Sequence, residues 1–313
     1  MLTWTARWLL VAMTATAACS GGDRESDEGP GSAGREVALD VLVDDARGVQ
    51  VVAIYPVAEL PPLVGVGEPS LRWQLEVDGD PIASGTFADP RLLRSEGGPA
   101  LRSRFGIAAL RVPERAGELV ILERDVELGR AAFDPGIGVT RSALLRAGDV
   151  RGGPVRILGD RDRASAVDVL VLPEGYTAAQ LGRFRRDALQ IGRAFRGVVS
   201  SQRRLGGRIN IWVQDVRSRS SGIDDPAAHR IADTAFDVGF GDGGGRRCTF
   251  FHTPDGLATA RQLGRMAGAE VVIVLAHTAE HGGCAGPGVV VMTHGRWAPW
   301  TMAHELGHAL VGL

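Results

Sequence analysis

Val167–Phe184 reads VDVLVLPEGYTAAQLGRF, and its two halves follow different rules. VDVLVLP is a nearly continuous apolar run, the pattern of a strand covered on both faces. Thr177 and Gln180 then take the spacing of a capping box, and Leu181, Phe184, Ala188, Phe195 and Val199 recur near helical spacing on an arginine-rich segment. A buried strand feeding a capped amphipathic helix is the repeating unit of an α/β domain. The alternation continues downstream. INIWV (Ile209–Val213), VVIVL (Val271–Leu275) and VVVM (Val289–Met292) read as further strands, with a helix near Asp255–Ala267. Residues 151–313 are therefore expected to form one α/β domain, opening after Gly152, Gly153 and Pro154.

Upstream the texture changes. Leu39, Val41 and Val43, then Leu71, Trp73, Leu75 and Val77, alternate with polar or charged neighbours, which predicts half-buried strands. Asp78-Gly79-Asp80-Pro81 and Glu96-Gly97-Gly98-Pro99 supply turns between them. An antiparallel β-sandwich over residues 36–150 fits this pattern, giving a multidomain α+β chain. No cluster of His, Cys or nucleophile falls in this half, so it is expected to pack or dock rather than react. The run Gly239–Gly245 lacks the spacing and the lysine of a phosphate-binding loop and is read as an ordinary loop.

Residues 1–19 read as an export signal: Arg7, an apolar stretch from Trp8 to Met13, then small residues up to Cys19. Cys19 directly after Ala17 and Ala18 resembles a bacterial lipoprotein box and is the expected site of lipidation. An ordinary cleavage after Ala17 or Ala18 is the alternative. Residues 20–35, rich in Gly, Ser and acidic side chains, bury too little apolar surface to repay ordering and are read as a disordered linker. The expected location is the outer membrane or cell surface of a bacterium, otherwise the periplasm or medium. The only expected membrane attachment is the N-terminal lipid. Cys248 and Cys284 then remain in an oxidising compartment as a possible disulfide.

The 313 residues carry 35 basic and 37 acidic side chains, a net charge of -2, without the basic excess that phosphate contacts demand. Nucleic acid is not an expected partner. Every basic side chain is arginine, which excludes Schiff-base catalysis by lysine.

Chemistry concentrates near the C-terminus in His304-Glu305-Leu306-Gly307-His308, an HExxH pattern with apolar flanks. Residues four apart share a helix face, so His304 and His308 can offer two imidazoles to one zinc ion. Glu305 beside them suits a general base that takes a proton from water and returns it to the leaving amine. Seven histidines scattered at random yield HExxH on the order of once in a hundred such chains, so the motif alone is not decisive. A catalytic zinc takes three protein ligands plus water. His277, His281 and His294 are the nearest further histidines, though His277 and His281 precede Gly282 and Gly283 and read as loop residues. His229 and His252 show no pairing pattern, and Asp224, Asp225 and Asp233 read as turn and capping residues.

Several segments in order, VDVLVLPEGYTAAQLGRF, SGIDDP (Ser221–Pro226), DTAF (Asp233–Phe236), His281-Gly282-Gly283 and HELGHALVGL (His304–Leu313), resemble the IgA peptidase family of zinc metallopeptidases, a metzincin-like group. The resemblance covers about Ser165–Leu313, with Glu174 standing where aspartate is expected. It implies zinc as cofactor, His304 and His308 as ligands, Glu305 as general base and a protein or peptide as substrate. It also implies a third ligand in an acidic stretch beyond Leu313, so the peptidase domain is expected to be truncated after the HExxH helix. The second expectation, from another class, is a catalytically inactive surface-binding lipoprotein with a degenerate peptidase domain.

Overall fold

A computed structural model describes residues 35–57, 69–93, 101–137, 145, 149–160, 162–199, 208–241 and 247–311 of the chain. The export signal, Cys19, residues 20–34, the Glu96–Pro99 turn and most of the glycine run lie outside the described residues. The architecture is mixed α+β and rich in strand. The first nine strands are β1 (Glu36–Asp44), β2 (Gly48–Pro56), β3 (Leu71–Val77), β4 (Asp80–Phe87), β5 (Leu92–Leu93), β6 (Leu101–Arg102), β7 (Phe105–Pro113), β8 (Gly117–Glu123) and β9 (Val126–Phe133). Seven of them build one antiparallel sheet in the order β2-β1-β7 and another in the order β4-β3-β8-β9, while β5 and β6 pair only with each other. Leu39, Val41, Leu71, Leu75, Leu119 and Ile121 fill a shared core.

β1 departs from the half-buried pattern predicted for it, since all but its first residue are buried. Its second face is covered by the following half of the chain. Leu42, with Phe105 and Ile107 of β7, joins an apolar core that also contains Leu170, Val272, Val274 and Val291.

That following half is a six-stranded sheet in the order β10-β12-β11-β15-β17-β16. Its members are β10 (Val150–Leu158), β11 (Val167–Glu174), β12 (Ile209–Val216), β15 (Val271–Ala276), β16 (Gly283–Gly286) and β17 (Val289–Thr293); a hairpin of β13 (Val238–Phe240) and β14 (Thr249–Phe251) lies outside it. The four inner strands run parallel, and β10 and β16 flank them antiparallel. β11 is buried from Asp168 to Glu174, as its unbroken apolar run requires.

Among the described residues three helices cover this sheet: α1 (Leu181–Val199), α2 (Pro254–Ala267) and α3 (Ala298–Val311). The capping box at the entry to α1 forms, with Gln180 Oε1 accepting from Thr177 N at 2.9 Å. Phe184, Ala188, Ile191 and Phe195 of α1 and Met302, Leu306 and Ala309 of α3 pack together over one face. Helix α2 starts at Thr253, whose hydroxyl accepts from Gly256 N, and ends at the left-handed Gly268. It lies on the opposite face, between the sheet and the N-terminal strands. Arg261 and Arg265 reach from it to the buried carboxylate of Asp40 on β1, and Arg265 also stacks 4.5 Å over the Tyr55 ring. Among the described residues no helix is long and apolar enough to cross a membrane.

Candidate functional site

Helix α3 carries the HExxH residues. Pro299 sits in its first turn, where a missing N–H breaks no intrahelical bond. At 3.6 residues per turn, Met302, Leu306 and Ala309 share one side, which enters the core. His304 and His308 fall roughly opposite that side and remain half-buried. Their rings meet edge-on with centroids 4.5 Å apart, and the two Nε2 atoms approach to 3.0 Å. Two ring nitrogens that face each other need a positive centre between them, either one shared proton or a cation to which both donate lone pairs. Two ligands of one tetrahedral zinc ion, each about 2.0–2.1 Å away, lie about 3.3 Å from each other, so the pair suits zinc closely.

Glu305 occupies the flank between the histidine side and the core side and is 1% exposed. It borders Gly283 on the edge strand β16, where a Cβ would stand 3.2 Å from Glu305 Oε1 and 2.6 Å from Thr301 Cγ2. Only a glycine lets β16 approach the helix this closely. The strand is held there twice. Gly283 N donates to Arg247 O at 2.7 Å, and Cys284 is bonded to Cys248.

At the carboxyl ends of β11 and β15 a second group of polar side chains gathers. Glu174 is fully buried and accepts from Thr234 Oγ1 at 2.6 Å, Val238 N at 2.8 Å and Phe236 N at 3.0 Å. Burial pushes its carboxyl up to about 7 against the pull of those three donors. His277 follows β15 in a bend, stacks on Tyr176 at 4.3 Å and lies 5.4 Å from the His294 ring. Its Nδ1 is 3.1 Å from Gly175 O and 3.2 Å from Ser221 Oγ. Burial lowers the affinity of both His277 and His294 for a proton. His281 lies in the loop just before β16. Among the described residues no third His, Cys, Asp or Glu donor gathers with His304 and His308 within 4.8 Å.

Of the acidic residues read as turn formers, Asp225 caps the short turn at Pro226–Ala228, and Asp233 pairs with Arg219 at 2.8 Å. Asp224 does more: with Asp237 and His252 it forms a group of donors within 4.8 Å of one another. Asp237 went unread as a site residue and His252 carried no spacing signal, because hairpin register rather than local sequence unites them; Glu174 went unread because its three donors come from the distant 234–238 segment.

A family model described as IgA Peptidase M64 matches residues 155–313, the half of the chain that contains the six-stranded sheet and the HExxH helix. No curated protein matches the chain.

Proposed function

This chain belongs to the IgA peptidase M64 family, and from that membership we propose that it is an exported zinc endopeptidase. The observation that carries the reading is the 3.0 Å approach of His304 Nε2 to His308 Nε2, with Glu305 beside them on the same helix. In this reading the Nε2 atoms of His304 and His308 would hold zinc, which would leave the proton of each ring on Nδ1. Zinc held there would supply Lewis-acid polarisation of the scissile carbonyl and ease ionisation of a water molecule. Glu305 takes the proton of the attacking water as the C–O bond forms and delivers it to the amine nitrogen as the C–N bond breaks. Burial beside Gly283 holds its carboxylate in one place, which favours proton transfer over exchange with bulk water. The third ligand is expected outside the described residues.

The peptidase half is read as metzincin-like and the N-terminal sheets as a β-sandwich that braces α2. Residues 1–19 are read as the export signal, with Cys19 lipidated and residues 20–35 as tether. The test is cleavage of denatured casein by the full chain before and after EDTA, with zinc restored, alongside His304→Ala and His308→Ala. Loss on chelation, recovery with zinc and failure of both variants support the reading. Chelator-insensitive cleavage contradicts it, and absence of both zinc binding and cleavage favours an inactive surface-binding lipoprotein.

A further inference from the structure

The hairpin of β13 and β14 joins side chains that are distant in sequence. Its register pairs Val238 with Phe251 and Gly239 with Phe250. Asp237 and His252 therefore meet at one end of the ladder, where His252 N donates to Asp237 O at 2.7 Å. Asp224 adds a third segment by accepting at its backbone O from Phe240 N at 3.1 Å. A Cβ at Gly239 would lie 2.4 Å from His252 Cε1 and 2.6 Å from Asp224 Cβ, so only glycine allows this convergence.

We propose that Asp224, Asp237 and His252 form a second metal site, distinct from the HExxH helix, for a divalent transition-metal ion such as zinc or manganese. The imidazole supplies the first argument. His252 Nε2 lies 3.3 Å from Phe240 O, and a carbonyl only accepts, so Nε2 carries the hydrogen. In the neutral ring Nδ1 then turns a lone pair toward Asp224 Oδ2, 3.2 Å away. Two electron pairs at that distance repel unless positive charge lies between them. The carboxylate is pinned in this pose, because its other oxygen accepts from Ala232 N at 2.6 Å. A proton would satisfy Asp224 and His252 alone, but a third donor, Asp237, converges on the same point.

Charge supplies the second argument. Although all 35 basic side chains are arginines, neither Asp224 nor Asp237 forms a salt bridge to one among the described residues. The Asp237 carboxylate makes no hydrogen bond among those residues either. Two half-buried carboxylates without an arginine partner among the described residues are costly, and a divalent ion removes that cost. An imidazole ring whose second nitrogen donates to a carbonyl is the usual state of a metal-bound histidine. One nitrogen and two carboxylates suit zinc or manganese; calcium prefers an all-oxygen shell. Such an ion clips three segments together beside Phe236 and Val238, the residues that donate to Glu174.

The test uses the full chain carrying His304→Ala and His308→Ala, which removes the helix ligands. After chelator treatment and dialysis against zinc or manganese, bound metal is counted per chain, and thermal unfolding is followed with and without the ion. The double variant is expected to retain one ion per chain and to melt higher with it. Adding His252→Ala or Asp237→Asn should abolish both effects. Asp237→Asn guards against misfolding, since Asn keeps the shape and tolerates the left-handed backbone of this position, φ 55°. A double variant that binds no ion, with His252 merely sharing a proton with Asp224, overturns the proposal. So does an ion retained at equal affinity in both added variants.

Discussion

Asp40→Ala should destabilise the whole chain, because Asp40 lies between two arginines of α2. The carboxylate is 2% exposed and Arg261 4%. Arg261 Nη2 reaches Oδ1 at 2.9 Å, Arg265 Nε reaches Oδ2 at 3.0 Å, and a third contact runs from Arg265 Nη2 to Oδ1. Burial alone would raise the Asp40 carboxyl; the two guanidiniums outweigh it and hold the group below the usual carboxylate range. Removing the carboxylate leaves two largely buried guanidiniums with their shared anion gone, a loss of about 3–5 kcal/mol. With a slope of about 3 kcal/mol per molar urea, the midpoint should fall by about 1–1.7 M. Because the sheets share an apolar core, the transition should remain single. Glu118→Ala is the control, since the Arg130–Glu118 pair is 45% and 51% exposed and should contribute less than about 1 kcal/mol. The sign with pH follows from the lowered value: the Asp40 contribution is complete above about pH 4 and fades as pH drops through the folded-state value. An Asp40→Ala midpoint within error of the Glu118→Ala midpoint would mean that the buried Asp40 pairs contribute no more than an exposed one.

Gly283→Ala should cost about 1–3 kcal/mol by forcing a methyl against Thr301 and should displace Glu305; cleavage falling further than bound zinc is the expected split, and unchanged cleavage contradicts it. Glu174 has its folded value raised to about 7, so its effect on stability runs opposite to that of Asp40. Stability should decline between about pH 4.3 and 7 and flatten above, and Glu174→Gln should remove that slope in urea unfolding; parallel pH profiles for the two proteins would contradict this. Reduction of the Cys248–Cys284 bond, which spans 36 residues, should cost about 4 kcal/mol in the chain-entropy account. Unfolding with and without dithiothreitol, with Cys284→Ser as reference, checks it, and coincident curves count against it.

What was legible in the sequence was local. The apolar run at Val169–Leu172 announced a strand buried on both faces, and Thr177 with Gln180 marked the start of α1 because a capping box needs only neighbours. HExxH was legible for the same reason, since helical spacing alone places His304 beside His308. β1 misled because alternation reports one buried face, and Asp40 looks outward-facing until Arg261 and Arg265 arrive from more than 200 residues away. The Asp224, Asp237 and His252 group stayed hidden because the register of β13 on β14 creates it. Glu174 read as a strand end, and only the fold surrounds it with three donors.

In the proposed reaction Glu305 moves protons at a metal held by its two histidine neighbours. Casein cleavage and zinc content, measured on the same preparations of the full chain and of Glu305→Gln, test it most directly. Zinc content should be equal in both, with cleavage by Glu305→Gln reduced at least about a hundredfold. A Glu305→Gln protein that holds zinc and cleaves at the parent rate would contradict it.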